Sequence, residues 1–353
     1  MEKKSDLTIL FKYRGALMGL AALWILATHE WQMISEPDTL LYSIEFFIKR
    51  IGFGGVDIFL FLSGMGMVYS LEKNNLKKFY YNRFKRIFVP FWIMAIVVAV
   101  IDRWGIVSFL KVITGYAFLK INIYTFLWFV PAIVILYLFV PLYYKFLKKA
   151  KNKGLFIAST IEVWLLLSLL LSIVIREDLY GFTNRIPIFV MGVYIGWLCK
   201  QNVIELKRGS WIFLIITLTL GLYLAYQTNI NGMALIVPVS NCCIPNFLIS
   251  ISISLLFAKG MDVLMFGKHT KIFAVIIEKI LSFFGMMSLE FYCVQEWISN
   301  KIIPIMQKNN SNAVINIKIW VIVSVFGFLL YMINKGAVRC LDYLCDNFNK
   351  EKH

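Results

Sequence analysis

The chain has 353 residues, of which 60% are hydrophobic and only 16% charged, with a formal net charge of +16. At a mean hydropathy of +0.74, this composition excludes a soluble globular protein and points to an all-α, polytopic membrane protein. No polar block is long enough to fold as a separate soluble domain, so one integral-membrane domain is expected over residues 1–353.

A helix that crosses roughly 30 Å of hydrocarbon needs about 20 apolar residues. Runs of that order recur about ten times along the chain: 15–34, 51–71, 87–104, 124–144, 155–175, 186–199, 211–227, 233–258, 285–303 and 314–333. The sixth is short. Segment 261–284 is amphipathic and expected to lie in the interface, and 109–119 reads as a re-entrant or interfacial piece on the opposite side.

Lys and Arg collect on cytoplasmic loops. Most of the 36 basic residues fall on one side if the N-terminus is inside: Lys3 to Arg14, Lys73 to Arg86, Lys145 to Lys153, Lys200 to Arg208, Lys259 to Lys279 and the tail from Lys335. Both termini are therefore expected in the cytoplasm, with a short tail over 334–353. The positive excess is read as topology and not as nucleic-acid binding. The first span has the basic flank of a signal peptide but no small-residue cleavage pattern, so an uncleaved anchor is expected. Six cysteines and three histidines form no CxxC pair and no ligand cluster, which argues against a disulfide framework or a metal site. No internal repeat, Walker-type loop or GxSxG elbow is present.

Ionisable groups inside the spans demand a reason, because hydrocarbon penalises them. The first span carries Arg14 at its entrance and His29 followed by Glu30 near its far end. Imidazole is the side chain most readily poised near neutral pH to take and return a proton, which makes His29 the candidate base. Asp57 lies early in the second, antiparallel span, so the two are expected at one level, where the carboxylate would orient the ring and stabilise the imidazolium. A buried pair with a basic residue is the alternative for Asp57. Arg83 and Arg86 stand one helical turn apart before the third span, a spacing suited to forking onto phosphate oxygens.

Taken in order, Arg14-Gly15 with His29, Gly55-Val56-Asp57-Ile58-Phe59 ending in Leu62-Ser63-Gly64, Arg83-x-x-Arg86-Ile87 with Pro90, Leu127-Trp128-Phe129, and Ser288-Leu289-Glu290-Phe291-Tyr292 resemble the membrane-bound acyltransferase 3 family. The resemblance runs from Arg14 to about Ile333 and implies transfer of an acyl group, most often acetyl, onto carbohydrates of the cell envelope. It implies acetyl-CoA as cytoplasmic donor and co-substrate, handled by Arg14, Arg83 and Arg86, with His29 catalytic and no metal. Trp128, Ser288, Glu290 and Tyr292 fall where the family lines its pore, and Glu30 is a further pore-lining candidate. Gln295 and Glu296 stand where many relatives carry a histidine, a departure that bears on acceptor choice. The implied partners are a carbohydrate or glycolipid acceptor, membrane lipid and separate envelope-assembly proteins, and the implied location is a bacterial cytoplasmic membrane. Two other readings stand beside this one: a transporter of a small solute or glycan precursor, since intramembrane charges also mark solute pathways, and an assembly or sensor protein that has kept the fold without the chemistry.

Overall fold

The computed structural model describes residues 6–30, 32–122, 125–201, 204–233, 240–308 and 310–350, and all regular structure among them is helical. Tyr124, residues 234–239 of the eighth expected span, and His353 lie outside the described residues. The principal helices are α1 (Arg14–Glu30), α2 (Leu40–Arg50), α3 (Gly54–Lys73), α4 (Leu76–Ile101), α5 (Phe129–Lys149), α6 (Lys153–Val174), α7 (Ile186–Gln201), α8 (Arg208–Asn229), α9 (Ser240–Phe266), α10 (Lys271–Met286), α11 (Ser288–Met306) and α12 (Asn312–Lys350). Among the described residues eight helices are long and apolar enough to cross a membrane, or up to ten when the bent pairs Asp6–Lys12 with Arg14–Glu30 and Lys271–Met286 with Ser288–Met306 each count as one span. The chain divides into two compact units, residues 1–73 with 138–286, and residues 74–137 with 287–353.

In the first unit α3 is the central span, with 78% of its apolar window buried, whereas α6 and α8 bury only 11% and 17% of theirs. An apolar helix with so little of its surface covered by protein is one that faces lipid. The centre is packed through glycines. A Cβ at Gly64 of α3 would collide with the Phe189 carbonyl of α7, and Cβ atoms at Gly192 and Gly196 of α7 would collide with the Phe61 and Met65 carbonyls of α3. Lipid tails are as apolar as leucine, so helices in a membrane gain little from hiding apolar surface, and close backbone approach at small residues supplies the packing instead.

Gly15 and Gly19 of α1 do the same with α10. A Cβ on Gly19 would strike the Leu281 carbonyl, and one on Gly285 the Gly15 carbonyl. This corrects the interfacial placement expected for 261–284. The apolar stripe of α10, including Ile272, Ile276 and Phe283, is exposed, but its opposite face lies directly against the first span, and residues 261–266 belong to α9.

In the second unit α4 and α11 run parallel. Arg86 of α4 meets Glu290 near the start of α11 at 2.8 Å, while Asp102 after α4 meets Lys301 at 2.7 Å and Trp297 at 2.9 Å further along it. α12 runs antiparallel to both, pairing Asn334 with Glu290 and Asp342 with Lys85. Residues 334–350 continue α12, and Asp342 holds them to α4. The third span starts earlier than residue 87, because Asn75 caps α4 by accepting from the Lys78 N–H. The basic run therefore lies within the helix, so Arg83 and Arg86 share it. Pro90, inside α4, lacks the N–H that would otherwise occupy the Arg86 carbonyl.

These contacts make Gly19→Leu and Gly285→Leu destabilising by at least about 3 kcal/mol, beyond ordinary overpacking because backbone is the obstacle. Gly260→Ala, in α9 with no atom within 4 Å of its Cβ position, should be neutral or stabilise by roughly 0.5–1 kcal/mol through helix propensity. Thermal melting of the detergent-solubilised variants checks both.

Candidate functional site

Arg14 and His29 stand at opposite ends of α1, about 22 Å apart at about 1.5 Å per residue. The Arg14 guanidinium lies against α3 at Gly66, with Nη2 3.7 Å from that residue's Cβ position. His29 is half-buried, and its ring makes no hydrogen bond among the described residues.

The His29 end of α1 is built by α2, a helix the sequence reading did not separate. Thr39 starts it by accepting from the Tyr42 N–H. Its last carbonyls are taken by α1: Trp24 Nε1 donates to Ile48 O at 2.9 Å and Thr28 Oγ1 to Lys49 O at 3.0 Å, which satisfies groups a helix end leaves open. Gly52, just beyond, has no room for a Cβ against Thr28. Lys49 is buried, with Nζ 3.0 Å from Glu30, 3.0 Å from Glu45 and 2.6 Å from the Gln32 carbonyl. Glu30, expected to line a pore, is therefore only 3% exposed and committed to an ion pair. Glu45 also accepts from the Ile34 and Ser35 N–H groups at 2.8–3.1 Å. Burial acts to raise its pKa, but the two backbone N–H groups and Lys49 prevail and hold the carboxyl at about 2.

Asp57 does not meet His29. Its Oδ2 accepts from Asn246 Nδ2 at 3.1 Å and from Arg185 Nη1 at 3.4 Å, the alternative of a buried basic partner. Register explains the difference. Gly55 sits against Ala21 and Ile25 of α1, so Asp57, two residues further along α3, lies about 12 Å from His29 along the axis. Arg185 is itself fixed by donating to Gly181 O at 3.0 Å and Phe53 O at 3.3 Å.

In the second unit Arg83 and Arg86 project one turn apart from α4 but differ in their surroundings. Arg83 lies between the Phe79 and Tyr137 rings, 5.7 and 5.6 Å from their centroids; its Nε is buried without a hydrogen bond, and no carboxylate pairs with it among the described residues. Arg86 is bound to Glu290, a fully buried carboxylate whose Oε1 also accepts from Asn334 Nδ2 at 2.6 Å. Tyr292 accepts the Phe129 N–H at 3.3 Å, its ring 5.5 Å from that of Phe129. Trp128 is half-buried beside Phe129, and Ser288 is buried in the first turn of α11. Leu127, in the same short motif, has φ +54°.

Lys49, Arg185, Asn246 and Asn334 escaped the sequence reading. The signal was indirect, since an acid inside a span requires a donor, but nothing in the linear order says which. Among the described residues no group of three or more His, Cys, Asp or Glu is placed to hold a metal. An apolar groove of about 480 Å³ between α6, α7 and α9, lined by Ile157, Ile161, Met191 and Phe247 among others, contains none of the expected site residues.

A family model described as an acyltransferase domain matches residues 16–333. No curated protein and no solved structure matches the chain.

Two outcomes follow from the ion pairs. Asp57→Ala, which leaves Arg185 buried without this carboxylate, should cost about 3–5 kcal/mol, whereas His29→Ala, which breaks no hydrogen bond among the described residues, should leave the melting temperature nearly unchanged. Because folding depresses the Glu45 pKa from 4.5 to about 2, its stabilisation is complete above about pH 4.5 and lost as pH falls through about 2. Wild-type melting temperature should therefore drop over that window more steeply than that of Glu45→Gln.

Proposed function

Since the chain belongs to the membrane-bound acyltransferase 3 family and is a membrane acyltransferase, we propose that it moves an acyl group, acetyl foremost, from cytoplasmic acetyl-CoA to a hydroxyl of an envelope or exported carbohydrate. In this reading it works in the cytoplasmic membrane of a bacterium, with both termini inside. The observation that carries the reading is His29: of the two described histidines it alone lies in a helix of a candidate span, His269 lying in the turn before α10, and among the described residues its ring has no hydrogen-bond partner.

Neutral imidazole removes the proton from an acceptor hydroxyl as the oxygen attacks the thioester carbonyl. The tetrahedral intermediate collapses with cleavage of the carbon–sulfur bond, and the imidazolium returns the proton to the departing thiolate. The products are an O-acyl ester and free coenzyme A. An acyl-enzyme intermediate is the other route to the same products.

Arg83 suits the donor's phosphates. Its guanidinium is oriented by two rings and, among the described residues, bears a charge that no carboxylate cancels, the arrangement that favours bidentate contact with phosphate oxygens. Arg14, about 22 Å from His29 along α1, stands at the end from which a pantetheine arm would extend toward the imidazole. Asp57 takes no part in orienting His29. Its place is in the wall, where with Arg185 and Asn246 it ties α3 to α9.

Membranes carrying His29→Ala should contain normal amounts of protein and transfer no labelled acetyl from acetyl-CoA into base-labile esters of envelope glycan. Retained O-acylation would remove His29 from the chemistry. Arg83→Ala should raise the KM for acetyl-CoA about tenfold or more, the worth of one charge-assisted hydrogen bond. Arg83→Lys should restore this only in part, because an ammonium lacks the planar fork.

A further inference from the structure

α11 carries Ser288, Tyr292, Gln295 and Ser299 along one face, since steps of four, three and four residues return to the same side of a helix. Gln295 and Ser299 are fully buried, and among the described residues neither side-chain amide atom of Gln295 nor the hydroxyl of Ser299 has a hydrogen-bond partner. Several helical hydroxyls elsewhere behave differently, although Ser252 of α9 is also buried without a partner among the described residues. Thr160, Thr217, Ser254 and Ser324 each donate to the carbonyl four residues earlier, at 2.6–2.8 Å, the ordinary resort of a hydroxyl in an apolar helix. Ser299 declines that bond to the Gln295 carbonyl, so its hydroxyl is directed elsewhere.

The same face bears on a defined wall. Tyr292, one turn before Gln295, receives the Phe129 N–H, and Phe129 follows Leu127 at φ +54°. A left-handed backbone costs a leucine of the order of 1–3 kcal/mol and is held only where the surroundings impose it. Leu127 is wholly buried. Each buried polar group without a partner costs roughly 1–3 kcal/mol more. Packing would be better served by apolar side chains at both positions, so stability does not account for them, and a polar ligand does.

We propose that Gln295 and Ser299 form a hydroxyl-binding subsite that selects the acyl acceptor, resting on the acyltransferase function above. The primary amide supplies both donor and acceptor, as does the serine hydroxyl, and a polyol presents groups that do the same in return. Neither side chain is charged, which suits a neutral sugar better than an anion. Residues one turn apart are separated by about 6 Å along the helix, so two hydroxyls of one sugar ring can engage both. Gln295 and Ser299 position the acceptor and take no part in the proton transfer.

The test uses membranes containing the full chain, labelled acetyl-CoA as donor and the de-O-acylated envelope polysaccharide fraction of the producing cells as acceptor. Gln295→Met and Ser299→Ala replace the polar atoms by apolar ones of similar shape. The expected result is a tenfold or greater rise in KM for the polysaccharide fraction, an unchanged KM for acetyl-CoA, and a melting temperature equal to or above wild type. A lowered melting temperature with both substrates equally affected would show a structural role and overturn the subsite. Wild-type kinetics in both variants would overturn it alone, leaving the acyltransferase function standing. A wild-type chain that transfers no acetyl to the polysaccharide would overturn the carbohydrate acceptor and the subsite with it.

Discussion

An ionised side chain cannot be left alone in an apolar helical bundle, and in this chain that requirement joins helices far apart in sequence. Glu30 is neutralised by Lys49, Asp57 by Arg185, and Glu290 by Arg86. Each pairing links elements that glycine packing or chain connection alone would leave free to slide. Removing one partner strands the other, which is the costly half of a buried pair, whereas the intact pair contributes little net stability. The pairs therefore act chiefly on specificity, fixing which helix faces which and at what level.

Glycine contacts supply the complementary constraint. Gly15, Gly19 and Gly285 bring α1 and α10 to backbone contact, and Gly64, Gly192 and Gly196 do so for α3 and α7. Where backbones touch, a helix can neither rotate nor shift by a residue without collision. α1 is then held on one side by α10 and on the other by α3 at Gly55, and its far end is capped by α2 through Trp24 and Thr28. His29 gains a fixed position from this framework without a hydrogen bond of its own among the described residues. For the proton exchange proposed for it, the ring benefits from placement by its backbone and not by a hydrogen bond that the substrate must break.

The spans were legible because a 20-residue apolar run is a property of a local stretch, and the spans from α3 to α12 lie close to where hydropathy puts them. Register was not legible. Asp57 and His29 sit near matching ends of adjacent antiparallel spans, yet Gly55 meets Ala21 and Ile25, an offset set by three-dimensional packing that no window reveals. The partner of Asp57 lies 128 residues away in Arg185. α2 was missed because 11 residues are too few to read as a span. The amphipathic pattern of α10 suggested an interfacial position, since exposed apolar residues look the same whether they face lipid from the interface or from the side of a bundle; only Gly285 carried the signal of close packing, and it was read as the start of the next span. Gln295 stood out in sequence as a departure from relatives, whereas its unsatisfied amide became visible only with its surroundings.

Arg83 and Arg86 show how one short motif divides its duties. An anion approaching Arg86 must displace Glu290, a carboxylate with no exposure that would be left with Asn334 alone, at a cost of about 3–5 kcal/mol. An anion approaching Arg83 displaces no carboxylate, and the Phe79 and Tyr137 rings already hold the guanidinium in orientation. In the proposed reaction donor contact therefore falls to Arg83, and Arg86 holds α4 against α11. Glu290, the residue it grips, stands less than two turns before Gln295 on the same helix. Within this unit the Arg86–Glu290 pair sets the level of Gln295 and Ser299 on α11 relative to Arg83 on α4, so on the proposed roles loss of Arg86 would disturb both acceptor and donor binding while touching neither substrate.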